Sequence, residues 1–405
     1  MSDSAAGLQE QLDGLFVFCS NYQMIVNELK TKIMIFGKSD PKHFIFNKKK
    51  LEEVLEYKYL GVVFNRTDNS RGNVFKNMIN YTAEKGRKAC FATTRKSLAA
   101  GRLTPKIAIQ LFDSYVTPVL NYATEIWLKP KPIDKIEKVQ LKYLKFILGV
   151  KQGTCSDAIY GETGRFPLYL NQIIKMIKYW IRIIKMQDSK LVKIAYLTLL
   201  DLDSSGFSNW VSKVRNILTN NNFSNIWEDT ELLINNSDSF LLSFKEVIYS
   251  NYITKWKNNI TLYPKLRTFI TFKTEFKLEN YLTTVRDYKL RKCLSTFRLS
   301  SHKLEIERGR YDGTPVDERI CKLCSTNTIE DENHFLTQCN FYNVIRGSFF
   351  SKDACNLVEL LTCNEQTVIF KLAKCLSKML DRRKIYYVPS SLLYCSCNLP
   401  YHVLI

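Results

Sequence analysis

The sequence predicts a mainly helical α+β protein with a small sheet at the N-terminus and a metal-binding module near the C-terminus. Three observations support this fold class. Short β-rich segments are confined to the first 66 residues, apolar residues then recur every three or four positions, and a Cys/His cluster lies between 321 and 339. With 405 residues, 45% of them hydrophobic, the chain is long enough for two or three domains and too apolar for general disorder.

The chain is strongly basic, with 59 Lys+Arg against 39 Asp+Glu and a net charge of +20. This excess favours a polyanionic partner, with nucleic acid as the first candidate. Composition alone leaves an anionic membrane surface or an acidic protein as alternatives.

The 12 cysteines are scattered, and the N-terminus has neither the basic nor the apolar region of a secretory signal. No window is apolar enough for long enough to cross a bilayer. We therefore expect reduced thiols, a nuclear or cytoplasmic location rather than secretion, and no membrane partner.

The first 66 residues combine one helix with short strands. Residues 5–21 place apolar side chains at helical spacing, and residues 32–37, 43–46 and 57–64 have the composition of strands. From residue 73 the pattern is helical, and Thr104-Pro105 is typical of a helix start.

Two predicted helices, residues 134–148 and 171–186, combine a buried apolar face with a basic stripe. Such stripes could follow a phosphate backbone, or they could be the solvated faces of ordinary amphipathic helices. The candidate contacts are Lys138, Lys142 and Lys145 on the first helix and Lys178 and Arg182 on the second. Their flanking cations are Lys135, Lys175 and Lys185.

Residues 200–225 are rich in Ser, Asn and Asp, which predicts a loop or domain boundary. Helical sequence follows to about residue 299. Residues 385–405 form an apolar, aromatic tail that fits no predicted element.

Cys321, Cys324, His334 and Cys339 are separated by two, nine and four residues. A Cys-x-x-Cys knuckle grips one side of a zinc ion, and a later His and Cys can complete a tetrahedron. Four protein ligands leave no open position for water, so the predicted cofactor is structural Zn²⁺. The alternative is four unrelated side chains in a Cys-rich protein.

No motif for catalysis is evident. The sequence contains no Asp-Asp doublet that could hold magnesium ions, no phosphate-binding glycine loop and no hydrolase motif. Glu52-Glu53 is interpreted as a solvated loop. We therefore nominate no catalytic residue and no small-molecule substrate.

Several segments, in order, resemble non-LTR (LINE-like) retrotransposon reverse transcriptases. Val26-Asn-Glu-Leu-Lys-Thr-Lys-Ile-Met-Ile-Phe36 resembles the stretch that follows the catalytic Asp-Asp of that family. Tyr57-Lys-Tyr-Leu-Gly61 looks like its primer-grip hairpin. Residues 118–127, 144–149 and 160–167 are similar to the family's thumb segment, and residues 297–302, 307–310 and the Cys/His cluster to its C-terminal module.

The resemblance implies a fragment that starts just after the catalytic carboxylates. It assigns Lys30 and Lys32 to phosphate contacts, Tyr59, Leu60 and Gly61 to a hairpin at the primer end, and the Cys/His cluster to zinc. The implied domains are a partial palm sheet (1–66), a helical thumb-like region (67–200), a helical connector (201–290), the zinc-knuckle module (291–384) and an unassigned tail (385–405).

Three hypotheses follow. The favoured one is a fragment without catalytic activity that binds RNA, an RNA–DNA hybrid or DNA. The second is the C-terminal half of an active polymerase, in which case Mg²⁺ would be bound by the missing half. The third is an inert product of a decaying element, in which the first helix and residues 32–36 expose apolar surface.

Overall fold

The computed structural model describes residues 2–37, 43–68, 72–127, 134–351 and 356–387. Within those ranges the strands are β1 (Lys32–Ile33), β2 (Ile45–Phe46), β3 (Lys49–Lys50), β4 (Glu52–Glu53), β5 (Glu56–Tyr59) and β6 (Val62–Asn65). The helices are α1 (Ala5–Asn21), α2 (Met78–Ala99), α3 (Pro105–Tyr115), α4 (Thr117–Leu120), α5 (Thr124–Trp127), α6 (Glu137–Leu148), α7 (Ser156–Thr163), α8 (Leu168–Ile184), α9 (Leu191–Ser204), α10 (Trp210–Thr219), α11 (Ser224–Glu228), α12 (Thr230–Thr261), α13 (Phe269–Phe272), α14 (Tyr281–Thr284), α15 (Tyr288–Arg298), α16 (Glu305–Arg308), α17 (Asn343–Gly347), α18 (Leu357–Thr362) and α19 (Gln366–Tyr387). The described part is therefore mainly helical with small sheets, as predicted.

The N-terminal unit has its own small core. Helix α1 starts at the predicted residue because Ser4 Oγ accepts a hydrogen bond from the Gly7 amide at 3.1 Å. Leu12 on its inner face packs with a cluster of apolar side chains from the strand region. The members of that cluster are Ile33, Phe44, Phe46 and Leu51.

The strands form three separate pairs rather than one sheet. β1 pairs in parallel with β4, β2 in antiparallel with β3, and β5 in antiparallel with β6. The interpretation of Glu52-Glu53 as a solvated loop was wrong, because these residues are β4 and lie opposite Lys32 and Ile33. An ion pair between Glu52 and Lys32 accompanies this register.

The outer face of α1 carries large apolar side chains that nothing covers in the described part of the chain. Leu15, Phe16, Val17, Phe18 and Tyr22 are each at least 40% exposed. The exposure that the third hypothesis expects of this helix is therefore present. An apolar strip of this length is uncommon on a soluble monomer.

The main core runs through the helical region to the C-terminal module. Helix α8 lies at its centre, with Met176, Ile177 and Trp180 fully buried and with α5 and α12 packed against it. Both predicted basic helices form, as α6 and α8, with starts within three residues of the expected positions. The same core includes Cys321 and Cys339, so the C-terminal module is packed against the helices rather than tethered to them.

The loop predicted at 200–225 was largely wrong. Helix α9 continues to Ser204 and α10 follows from Trp210. Val211, Val214 and Leu218 are fully buried at helical spacing, and this packing outweighs the polar composition around them. Most of the predicted tail lies outside the described residues. No helix of the described part is long and apolar enough to span a bilayer.

Candidate metal centre and basic groove

The four predicted ligands converge. One donor atom from each of Cys321, Cys324, His334 and Cys339 lies within 4.8 Å of all the others. Cys321 Sγ and Cys339 Sγ are 3.9 Å apart, and Cys324 Sγ is 3.4 Å from His334 Nε2. The cluster predicted from spacing is therefore a potential metal site in three dimensions.

These separations suit a tetrahedral zinc ion. With Zn–S bonds of about 2.3 Å and a Zn–N bond of about 2.0 Å, tetrahedral geometry separates two sulfurs by about 3.8 Å and a sulfur from a nitrogen by about 3.5 Å. All four ligands come from this chain, which leaves no coordination position for a substrate. Within the described part of the chain His334 Nδ1 is buried without a hydrogen-bond partner, so no acceptor there fixes the orientation of this imidazole.

A short hairpin and a π-helix position the ligands. An antiparallel bridge joins Ile320 to Ile329, and the Cys321 amide donates to the Thr328 carbonyl at 2.9 Å. The knuckle is thereby held at the hairpin end. Residues His334–Gln338 form the π-helix, in which the Cys339 amide donates to the His334 carbonyl at 2.8 Å.

The start of that π-helix is capped by an acidic side chain. Asp331 Oδ1 accepts a hydrogen bond from the His334 amide at 2.7 Å. Glu332, the next residue along the chain, turns inward and is fully buried. Of these two acidic residues, Asp331 therefore caps the π-helix and Glu332 contacts a distant part of the chain.

Cys321 and Cys339 shift each other's pKa in opposite directions. The contact with the Cys339 sulfur and the hydrogen bond from the Leu323 amide lower the pKa of Cys321, although burial opposes the shift. The Cys321 sulfur in turn raises the pKa of Cys339. A bound cation would stabilise both thiolates, since metal ligation deprotonates cysteine.

Two buried carboxylates fasten the metal module to the helices. Glu330 accepts two hydrogen bonds from Arg383 of α19, at 2.8 and 2.6 Å. Glu332 accepts from Arg267 at 2.8 Å and is 2.9 Å from His302 Nε2. Both carboxylates are fully buried, so each depends on its partner to offset desolvation.

A basic groove lies beside the module, between α15, α19 and the segment after α6. Its cavity has a volume of about 770 Å³. Six cationic side chains and one carboxylate, Asp381, line it. Arg383 is already paired with Glu330, which lies behind the groove wall, and the other cations leave the lining with a positive net charge. The cations are Lys151, Lys289, Lys292, Lys303, Arg383 and Lys384. We call this set the basic groove; no sequence pattern predicted it.

The cations of the groove repel one another. Burial, together with the charges of Lys265 and Lys303, lowers the pKa of Lys151, while Glu307 partly opposes this effect. Asp381 accepts hydrogen bonds from both Lys289 and Lys384, each at 2.9 Å. An anion bound in the groove would relieve the remaining repulsion.

The residues predicted for the primer end lie on an exposed hairpin. Tyr59 and Leu60 are 59% and 75% exposed, and Leu60 and Gly61 form the two-residue turn with φ of +46° and +85°. The Tyr122 hydroxyl supports this turn by donating to the Leu60 carbonyl at 2.6 Å. The turn joins the antiparallel strands β5 and β6, and contact of this hairpin with a primer remains a prediction.

Two other lysines predicted to contact phosphate differ in their surroundings. Lys30 is exposed, whereas Lys32 is half-buried and paired with Glu52. Lys32 would have to leave its carboxylate to reach a phosphate.

The basic stripes are only partly as predicted. Lys138 and Lys142 on α6 and Lys178 and Arg182 on α8 are exposed. The placement of Lys145 in an exposed stripe was wrong, because it is 8% exposed and its Nζ donates to the Gln152 carbonyl at 2.6 Å. The segment after α6 folds back over this position, which helical spacing alone does not reveal.

Comparison with known proteins gives one relevant similarity. An uncharacterized transposon-derived protein of Caenorhabditis elegans is 29% identical over 140 residues. The aligned part is 33% of this chain and 46% of that protein, so the chain spans less than half of its relative. No protein-family model and no solved structure matches. Part of the chain is therefore similar to a transposon-derived protein.

Proposed function

We propose that this chain is the C-terminal part of a retrotransposon-derived reverse transcriptase, which binds RNA or an RNA–DNA hybrid and is inactive in DNA synthesis by itself. The basic groove beside the metal module is the observation that carries the proposal. Its charge excess suits a phosphate backbone, and such contacts dominate the affinity of proteins for nucleic acid. The transposon-derived relative supports a transposon origin, and the order of the reverse-transcriptase-like segments is the reason for proposing this family.

The metal in this proposal is structural zinc. Cysteine and histidine ligands at tetrahedral separations select zinc over the oxygen-preferring magnesium. Zinc would hold the hairpin and π-helix together, while Arg383 and His302 link the module to the wall of the groove. Magnesium would be bound only by a catalytic Asp-Asp outside this sequence.

The binding role is tested by salt-dependent fluorescence anisotropy. The probes are a single-stranded RNA, an RNA–DNA hybrid and a duplex DNA. The Lys292→Glu/Lys303→Glu variant reverses two groove cations, and Lys190→Glu/Lys371→Glu makes the same charge change at exposed positions outside the groove. We expect the groove variant to bind single-stranded RNA at least about tenfold more weakly, with a salt slope reduced by about 1.4, since each contact contributes about 0.7.

Two results would overturn this role. One is undetectable binding of all three probes by the wild-type protein at low salt. The other is equal loss of affinity in the groove and control variants, which would indicate a response to net charge alone. A third variant, Lys178→Glu/Arg182→Glu, measures whether the stripe on α8 belongs to the same interface.

A further inference from the structure

A second cavity, of about 460 Å³, opens near the N-terminus of α7 and beside the chain that follows α12. Its lining combines aromatic rings with charged side chains, and we call it the tyrosine pocket. Tyr169, Tyr252 and Tyr263 supply rings, and Lys255, Lys265 and Arg310 supply positive charge. A volume of this size falls within the range of small-ligand sites.

The lining has the chemistry that a nucleotide requires. Aromatic rings stack on bases of any identity, and lysine and arginine bind phosphate. Asp157 also lines the pocket, is half-buried, and can accept a hydrogen bond from a ribose hydroxyl or a base amino group. Three cations against one carboxylate leave the pocket positive, as an anionic ligand requires.

Tyr252 gives an independent indication of a ligand. Its side chain lines the pocket and is only 8% exposed, yet its hydroxyl has no hydrogen-bond partner among the residues that the structure describes. Phe166 and Phe276 pack against the ring at centroid distances of 5.6 and 5.7 Å and hold it in place. A buried hydroxyl without a partner costs free energy unless a bound molecule satisfies it.

The pocket adjoins the basic groove. Lys151 lines the groove, and Gln152, the next residue along the chain, lines the pocket. A strand whose phosphates lie along the groove could therefore place one base in the pocket.

We propose that the tyrosine pocket binds one unstacked nucleotide, with the base against the tyrosine rings and the phosphate at Lys265 and Arg310. That the nucleotide belongs to a strand in the groove rests on the proposed function. A free nucleotide offers the same base, sugar and phosphate, so the experiment includes both sources.

The test uses Tyr252→Phe and Tyr263→Ala in the full chain. Removal of the unpaired Tyr252 hydroxyl should leave the thermal midpoint unchanged or raise it, while weakening ligand binding by about three- to tenfold. Removal of the exposed Tyr263 ring should weaken binding by about five- to a hundredfold. Tyr143→Phe is the matched control, because that buried hydroxyl donates to the Ala108 carbonyl at 2.9 Å. It should lower the midpoint and leave binding unchanged.

Affinities are measured for adenosine monophosphate, single-stranded RNA and duplex RNA. We expect the pocket variants to weaken binding of single-stranded RNA and not of duplex RNA, whose bases stay stacked. Weakened binding of adenosine monophosphate with unchanged RNA affinity would support the pocket with a free nucleotide as ligand. Unchanged affinity of both pocket variants for the nucleotide and for single-stranded RNA would overturn the inference.

The two proposals fail separately. If Lys292→Glu/Lys303→Glu weakens RNA binding and neither tyrosine variant does, the groove is supported and the pocket is not. If the wild-type protein binds no RNA but binds adenosine monophosphate in a Tyr263-dependent way, the pocket is supported and the proposed function is not.

Discussion

Replacement of Glu332 by glutamine tests how the metal module is attached. The carboxylate is fully buried and serves four side chains. Arg267 and Thr268 donate to Oε2 at 2.8 and 2.9 Å, while Ser300 and His302 lie 2.9 Å from Oε1. Glutamine keeps one acceptor oxygen and replaces the other with an NH₂ group. This NH₂ group then faces side chains that donate to the carboxylate in the wild type.

The expected cost follows from this arrangement. Removing one partner of a buried ion pair costs about 3–5 kcal/mol, because the remaining charge has lost its compensation. Arg267 is 30% exposed, so water can relieve part of the loss, and we expect a value near the lower end of that range. The matched control is Asp312→Asn, whose carboxylate is exposed and 3.9 Å from Arg308. Such a surface change should remain within about 0.5 kcal/mol.

The assay is urea unfolding followed by circular dichroism, at fixed zinc concentration and at several pH values. Burial raises the pKa of Glu332, but the hydrogen bond from His302 and the charge of Arg267 outweigh it and hold the pKa below 4.5. Its stabilisation is therefore complete above about pH 4.5 and is lost as the pH falls. The difference in free energy of unfolding between the wild type and Glu332→Gln should become smaller at acidic pH. A difference below about 0.5 kcal/mol at neutral pH, no larger than that of the Asp312→Asn control, would refute the reasoning.

Three further predictions concern other parts of the molecule. Cys324→Ser should lower the zinc content measured by mass spectrometry below one ion per chain, while the control Cys363→Ser should leave it unchanged. Equal zinc content in the two variants would contradict the assignment of Cys324 as a zinc ligand. Burial raises the pKa of Glu137 to about 7. In urea titrations the free energy of unfolding of the wild type should therefore fall relative to that of Glu137→Gln as the pH rises from about 4.5 to about 7. A difference between the two free energies that stays constant over this range would be inconsistent with the raised pKa. Gly61→Ala should cost about 1–3 kcal/mol in thermal unfolding, because φ is +85° and a Cβ would lie 2.9 Å from an aromatic carbon. Gly14→Ala, with open space around it, should be neutral or stabilising by up to about 1 kcal/mol, and equal effects of the two changes would argue against backbone strain.

The sequence predicted correctly those features that depend on residues close together in the chain. Helix α1 follows from one apolar face and a serine cap, and the metal cluster follows from ligand spacing within 19 residues. Periodicity also located α6 and α8, because each buries one continuous face. In these cases the residues that decide the structure are close together in the sequence.

Features built from distant segments were missed. The basic groove joins Lys151, Lys292 and Lys384, which no local pattern connects. Helical spacing predicts that Lys145 is exposed. In the structure the segment around Gln152 folds over Lys145 and covers it. The burial of Glu332 likewise depends on a residue far away in the sequence, because its carboxylate forms an ion pair with Arg267 that offsets the cost of desolvation.

The π-helix bears on how this motif can vary among relatives. One residue removed between His334 and Cys339 would abolish the i→i+5 hydrogen bond from the Cys339 amide to the His334 carbonyl and shift the Cys339 sulfur relative to the other three donors. The interval between Cys324 and His334 includes the exposed residues 325–328, where an added residue would only enlarge a surface loop. Relatives that keep the metal should therefore preserve the four-residue interval and differ in the nine-residue one. A search pattern that fixes the longer interval and relaxes the shorter would miss true relatives and accept chance matches.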